Sequence, residues 1–171
     1  FDAVFFNNTV GNCFTNPVWR KNLLEFVIGG GGLMGVHGTT VAFMNWPDVT
    51  EDWPEFGYLI GARGANHKDN NEHVWMKLDD AGSPITRMFS PQGFDYRDEF
   101  FRPQGTYSRN RVRVLLSFDT SRTDPNAGRA RGNCYRADND YAVAWIRNYG
   151  RGRVFYCTIA HNPYVFWDPK M

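Results

Sequence analysis

Short apolar runs that end in polar residues or glycine set the rhythm of this chain. FDAVFF runs into Asn7, Asn8 and Thr9, the pattern of a strand buried on both faces that delivers polar side chains at its carboxyl end. A central parallel strand is therefore expected over residues 1–7. Asn16 can cap a helix and Pro17 suits its first turn, with Val18, Trp19, Leu23, Leu24, Phe26 and Val27 as the apolar face and the glycines at 29–32 as terminator. LMGVHG follows as a second short apolar strand ending in glycine, so residues 1–37 read as one βαβ unit with a right-handed crossover.

Beyond residue 39, Pro47 and Pro54 break the chain before a short helix carrying Phe56, Leu59 and Ile60. Residues 73–78 alternate as a strand does, and 94–101 form an aromatic extended piece that includes Asp98 and Glu99. RVRVLLSF at 111–118 predicts another strand, and residues 119–140, rich in Arg, Asp, Asn and Gly, predict a surface loop. The run AVAWIRNYGRGRVFYCTIAHN predicts two strands about a turn at 150–152, a β-hairpin closing one side of the sheet, and residues 163–168 begin a last helix. The expected architecture is α/β, mostly parallel at the start and antiparallel near the end.

The 171 residues are enough for one core, and 42% hydrophobic against 22% charged residues excludes disordered, collagen-like and coiled-coil chains. A net charge of +1 supplies no field for nucleic acid, so none is expected as a partner. No apolar stretch is long enough to span a bilayer. Cys13, Cys134 and Cys157 are widely spaced and suggest neither a disulfide framework nor a metal knuckle, although one bridge among them stays open. Compartment stays open for the same reason, between a reducing cytoplasm and an oxidising periplasm or exterior.

Ligands of open α/β sheets collect where strands end, so the residues there carry the candidate chemistry. His37 stands on a sharp strand-to-helix turn in GVHG, a nucleophile-elbow position without Ser or Cys, which argues against acyl-enzyme chemistry. His161 closes VFYCTIA in the same way and reaches the same edge if the two strands run alike. With His67, Asp98 and Glu99 it completes a set suited to general acid–base catalysis or to a divalent metal. A structural, hydrogen-bonded role is the competing reading of each histidine. Trp46 and Trp53, with Asn8 at the polar end of the first strand, are candidate substrate contacts, core packing being the alternative for the tryptophans. The glycines at 29–32 lack the GK[ST] ending of a P-loop, and no nucleotide cofactor is expected.

The order FDAVFFNNT, GGGLMGVHGTT, WPEFGYLIGA, RDEFF, RVLLSFD and VAWIRNYGRGRVFYCTIAHN resembles the trehalose-utilisation (ThuA-like) family over nearly the whole chain. The resemblance implies a flavodoxin-like, class I glutamine amidotransferase-like three-layer sandwich and a link to bacterial sugar metabolism. It implies that residues 1–171 are a single domain whose first strand and helix precede Phe1. It puts His37 where an amidotransferase carries its cysteine, so glutaminase activity is expected to be lost, and it marks His67, Asp98, Glu99 and His161 as cleft residues. The family loop reads more like GHP, whereas Asn66 precedes and Lys68 follows His67 here. Three readings follow: an enzyme acting on a disaccharide or keto-sugar, a non-catalytic sugar-binding or interaction domain, and a metal-dependent hydrolase. The expected partner is a small sugar, and a homo-oligomer is compatible with all three.

Overall fold

A computed structural model describes residues 1–45, 49 and 51–171. Trp46 and Pro47 lie outside the described residues. Strand β1 (Ala3–Asn7), helix α1 (Pro17–Ile28) and strand β2 (Gly32–Val36) form the expected βαβ unit, with β1 and β2 parallel. Asn16 caps α1 by accepting the Val18 N–H at 2.9 Å, and Pro17 sits at the start, where a missing N–H costs nothing. A 3-10 turn over His37–Val41, helix α2 (Pro54–Ile60), β3 (Glu72–Leu78), β4 (Phe94–Asp98), β5 (Arg113–Phe118), β6 (Ala142–Tyr149) and β7 (Gly152–Cys157) follow. The last segment, Pro163–Trp167, is a single 3-10 turn and not the start of an α-helix.

Among the described residues seven strands make one sheet in the order β1-β2-β7-β6-β5-β3-β4. Only β1–β2 and β2–β7 are parallel; β7–β6, β6–β5, β5–β3 and β3–β4 are antiparallel, so the sheet is mixed and mostly antiparallel, against the expected mostly parallel one. Two further expectations are corrected by this order. The apolar run at the start is an edge strand, with Phe6 its only buried residue and Phe5 exposed, because β2 is its one partner among the described strands. The hairpin lies inside the sheet, since β7 pairs with β2 and β6 with β5. Ala142, Val143, Ala144 and Trp145 of β6 are all buried, which reflects neighbours on both sides.

The hairpin turn also terminates α1. Gly150 takes a positive φ of 61°, the Arg151 N–H donates to Ile28 O at 3.0 Å, and its guanidinium donates to Gly29 O at 2.9 Å, which satisfies carbonyls that α1 leaves unpaired. Of the predicted apolar face of α1 only Val27 is fully buried, with Leu23, Leu24 and Phe26 packed beside it, while Val18 and Trp19 stay exposed. One core cluster joins α1 and α2 to the sheet through Phe6, Leu33, Phe43, Trp53, Phe56, Ile60 and Trp145; a second gathers Val36, Met76, Phe100, Leu115, Phe118 and Val143. The indole of Trp145 donates to Ile60 O at 2.9 Å, tying the end of α2 to β6.

Candidate functional site

Alternating strand direction fixes where the chemistry collects. β2 and β7 are parallel, and four antiparallel steps from β7 to β4 return β4 to the same direction, so β2, β4 and β7 end at one edge. His37 directly follows β2, Glu99 directly follows β4, and His161 lies four residues beyond the end of β7. Residues 99–102 then cross back toward β7, where the Phe101 N–H donates to Thr158 Oγ1 at 2.8 Å.

The strand-to-turn junction holds His37 in a left-handed conformation, φ 42°, which a bulky residue adopts only under constraint. Tyr156 supplies part of that constraint by donating its hydroxyl to His37 O at 2.8 Å, and Asn8 supplies more by accepting the Gly38 N–H at 3.0 Å. Gly35 lets the turn fold back on its own strand, because a Cβ there would stand 2.6 Å from Thr39 Cγ2. The His37 ring is buried and packs tilted against Phe101 at 4.1 Å between centroids. Its Nδ1 lies 2.8 Å from the Thr158 carbonyl, which can only accept, so the proton is assigned to Nδ1 and Nε2 presents a lone pair.

That Nε2 faces Glu99 Oε2 at 3.0 Å and His161 Nδ1 at 3.3 Å, with His161 Nδ1 3.4 Å from the same carboxylate oxygen. His67 approaches the other oxygen, Nδ1 to Oε1 at 3.0 Å, and also lies 2.8 Å from Lys68 O. Three imidazoles therefore surround one buried carboxylate. Burial by itself would raise the Glu99 carboxyl, but the surrounding imidazoles outweigh it and hold the group below its ordinary value. His67 is pushed below its usual value by burial, against the upward pull of Glu99.

Asp98 stands apart from this chemistry. Its Oδ2 accepts the Ala160 N–H at 2.7 Å, and its Oδ1 accepts Glu99 N–H at 2.9 Å, Asn162 N–H at 3.0 Å and the Asn162 amide at 2.8 Å. The buried carboxylate thereby holds the turn that carries His161, including Ala160 at φ 116°. Asn8 likewise acts on a backbone group, at Gly38. Trp53, read from sequence as a substrate contact, is a core residue: its ring is buried against Phe43, Phe56 and Phe14. Trp46 is not among the described residues.

Sequence reasoning missed Thr158, which orients His37 through its carbonyl and Phe101 through its hydroxyl. It also missed Arg102, fully buried, paired with both oxygens of Glu72 at 2.7 and 2.8 Å and donating to Phe100 O at 2.9 Å. No local pattern signals either residue, since their partners lie elsewhere in the chain. The loop at 119–140 is mostly exposed as expected, yet it docks beside the site: His67 and Arg131 exchange backbone hydrogen bonds, and Lys68 donates to Ala127 O. All three cysteines are free, Cys134 and Cys157 buried. Two concavities of about 680 and 340 Å3 lie along the sheet around Ile85 and Phe155, and none of the three clustered histidines or Glu99 lines either. Convergent titratable groups therefore define the candidate site here, not cavity volume. His37, Glu99 and His161 offer one ligand atom each within 4.8 Å of one another, a set able to hold a metal ion. No helix among the described residues is long and apolar enough to cross a membrane.

Comparison with known proteins agrees with this architecture. A putative ThuA-like protein from Bacteroides uniformis is similar at 18% identity and TM-score 0.69, covering 99% of this chain and 64% of its own. A second, from Parabacteroides merdae, is similar at 16% identity and TM-score 0.65, covering 94% of this chain and 60% of its own. The chain thus spans less than two thirds of either structure. A GH42 β-galactosidase from G. stearothermophilus shares the fold at 10% identity and TM-score 0.55, over 92% of this chain and 19% of that one. No curated protein matches. The sequence profile of the ThuA family, described as trehalose utilisation, matches residues 1–171, and the chain belongs to that family.

Proposed function

We propose that this chain is an enzyme of carbohydrate metabolism, acting on trehalose or a related disaccharide or keto-sugar by proton transfer at the His37, Glu99, His161 and His67 cluster. The supporting observation is the convergence of three imidazoles on one buried carboxylate at the edge where β2, β4 and β7 end. General acid–base catalysis needs a base near neutral pH and a partner that fixes its tautomer. His67 meets the first need: burial keeps it neutral, and with its Nδ1 proton engaged by Lys68 O and Glu99 Oε1 the other nitrogen can take a proton from a sugar hydroxyl. Glu99, ionised, stabilises the imidazolium so formed. His161, about one-third exposed, is the member of the set open to a bound substrate. We read the shell as amidotransferase-like, with His37 in the nucleophile's place and no glutaminase activity, and residues 1–171 as one functional domain. The trehalose-utilisation family supports the substrate class.

The test is a thermal-shift panel of disaccharides and keto-sugars, followed by product analysis, with His37→Ala as control. Ligand that binds the native state raises Tm by mass action. A sugar-specific rise, lost in the control and accompanied by product, supports the reading. A rise without product makes the chain a non-catalytic sugar-binding domain, and no rise with any sugar removes the carbohydrate assignment.

A further inference from the structure

From the geometry we infer that His37 Nε2, Glu99 Oε2 and His161 Nδ1 bind one divalent transition-metal ion, with a coordination position left for water or substrate. The inference deepens the catalytic reading of this cluster and rests on it only for the metal's role; metal binding itself stands on the following observations.

The three atoms form a triangle with edges of 3.0, 3.3 and 3.4 Å. Ligands at about 2.0–2.1 Å from a tetrahedral ion stand about 3.3–3.4 Å apart, so one face of such a tetrahedron matches the triangle. The protons are arranged for a cation as well. With the His37 proton on Nδ1, its Nε2 lone pair points at a carboxylate oxygen 3.0 Å away, a repulsive pairing in a buried place unless a cation lies between. A proton on His161 Nδ1 would serve the two edges that meet there and leave the His37–Glu99 edge lone pair to lone pair, whereas a metal ion satisfies all three corners.

The outer hydrogen bonds are those that metal ligands use to fix orientation. Thr158 O holds the Nδ1–H of His37 at 2.8 Å, and His67 holds the remaining Glu99 oxygen at 3.0 Å, leaving Oε2 to bind through one atom. Asp98 holds the backbone of Ala160 and Asn162 on either side of His161. His67 is thus a positioning residue for the metal and not a ligand. Two imidazoles and one carboxylate suit zinc, iron(II), cobalt(II) or manganese(II) better than magnesium or calcium, which prefer all-oxygen sets. An ion with an open position acidifies bound water and polarises a carbonyl, both useful on a sugar or its keto derivative.

The experiment uses the full chain, stripped with chelator, dialysed against ZnCl2 and assayed by elemental analysis and thermal shift, then repeated with CoCl2 and visible spectroscopy. The expected result is about one zinc per chain with a raised Tm, lost in His161→Ala and Glu99→Gln, and about 10- to 100-fold weaker in His67→Ala. Circular dichroism checks that each variant is folded. The cobalt spectrum of the unaltered chain decides the matter should the variants fail to fold: d–d bands without a thiolate charge-transfer band support the His/Glu set. A thiolate band, zinc retained in the folded variants, or no zinc bound by the unaltered chain overturns the inference. The sugar panel is run both with chelator and with zinc. Zinc binding without any sugar response leaves the metal site standing and removes the sugar reading; sugar turnover undiminished in chelator does the reverse for the metal's role.

Discussion

Asp98→Asn separates a structural carboxylate from a catalytic one. The substitution keeps shape and one acceptor oxygen, which can still serve Glu99 and Asn162, but it turns an amide N–H toward the Ala160 N–H that now donates to Oδ2 at 2.7 Å. Losing a hydrogen bond to a charged group costs about 1.5–3 kcal/mol, and leaving the facing buried donors unsatisfied costs about 1–3 kcal/mol more. A loss of about 2.5–6 kcal/mol follows, which for a chain of this size is about 5–24 °C in Tm. Urea unfolding at pH 7 followed by circular dichroism measures it, as a lower midpoint with unchanged slope. Because the lost bond supports Ala160 at φ 116°, His161 should also leave its place and zinc affinity should fall. A loss below about 1 kcal/mol with activity abolished would refute this reasoning and return Asp98 to the catalytic set.

Glu72→Ala strands the buried Arg102 guanidinium and should destabilise by about 3–5 kcal/mol, with Glu72→Ala/Arg102→Met recovering at least half in a denaturation cycle. Gly38→Ala puts a Cβ 2.6 Å from Asn8 Oδ1 and 2.8 Å from Val10 Cγ2, so calorimetry should show a loss of about 1–3 kcal/mol, partly relieved by adding Asn8→Ala. A disulfide-exchange reagent at pH 8 should titrate one thiol quickly, exposed Cys13, and three after denaturation. Burial shields Cys134 and Cys157 from the reagent and pushes the Cys157 thiol up to about 12, whereas Cys13, its thiol also raised by burial, is exposed; fast reaction of two or three native thiols would contradict the packing.

Local chemistry explains which expectations held. Asn16 and Pro17 start α1 because a cap and a fixed φ act within one turn, and Gly150 turns the hairpin because its positive φ is a property of that residue. Strand existence at 32–36, 113–118 and 142–157 followed from apolar runs, and His37, Glu99 and His161 were legible as residues that leave strands. Strand order was not. An apolar run such as FDAVFF reads alike in the middle of a sheet and at its edge, since the partner is set by a distant segment.

The site divides in the same way. The sequence alone determined which groups stand at strand ends, that no cysteine occupies the turn at His37, and that the loop beyond residue 118 is polar. Tertiary structure decided that β4 points the same way as β2 and β7, which brings Glu99 to the histidines, and that Asp98, one residue earlier, serves Ala160 and Asn162 instead. It decided too that the Trp53 ring belongs to the core. The physical reason is that strand-end chemistry is local, encoded in a few neighbouring residues, whereas distance between side chains depends on pairings across more than 60 positions, which no window of sequence contains.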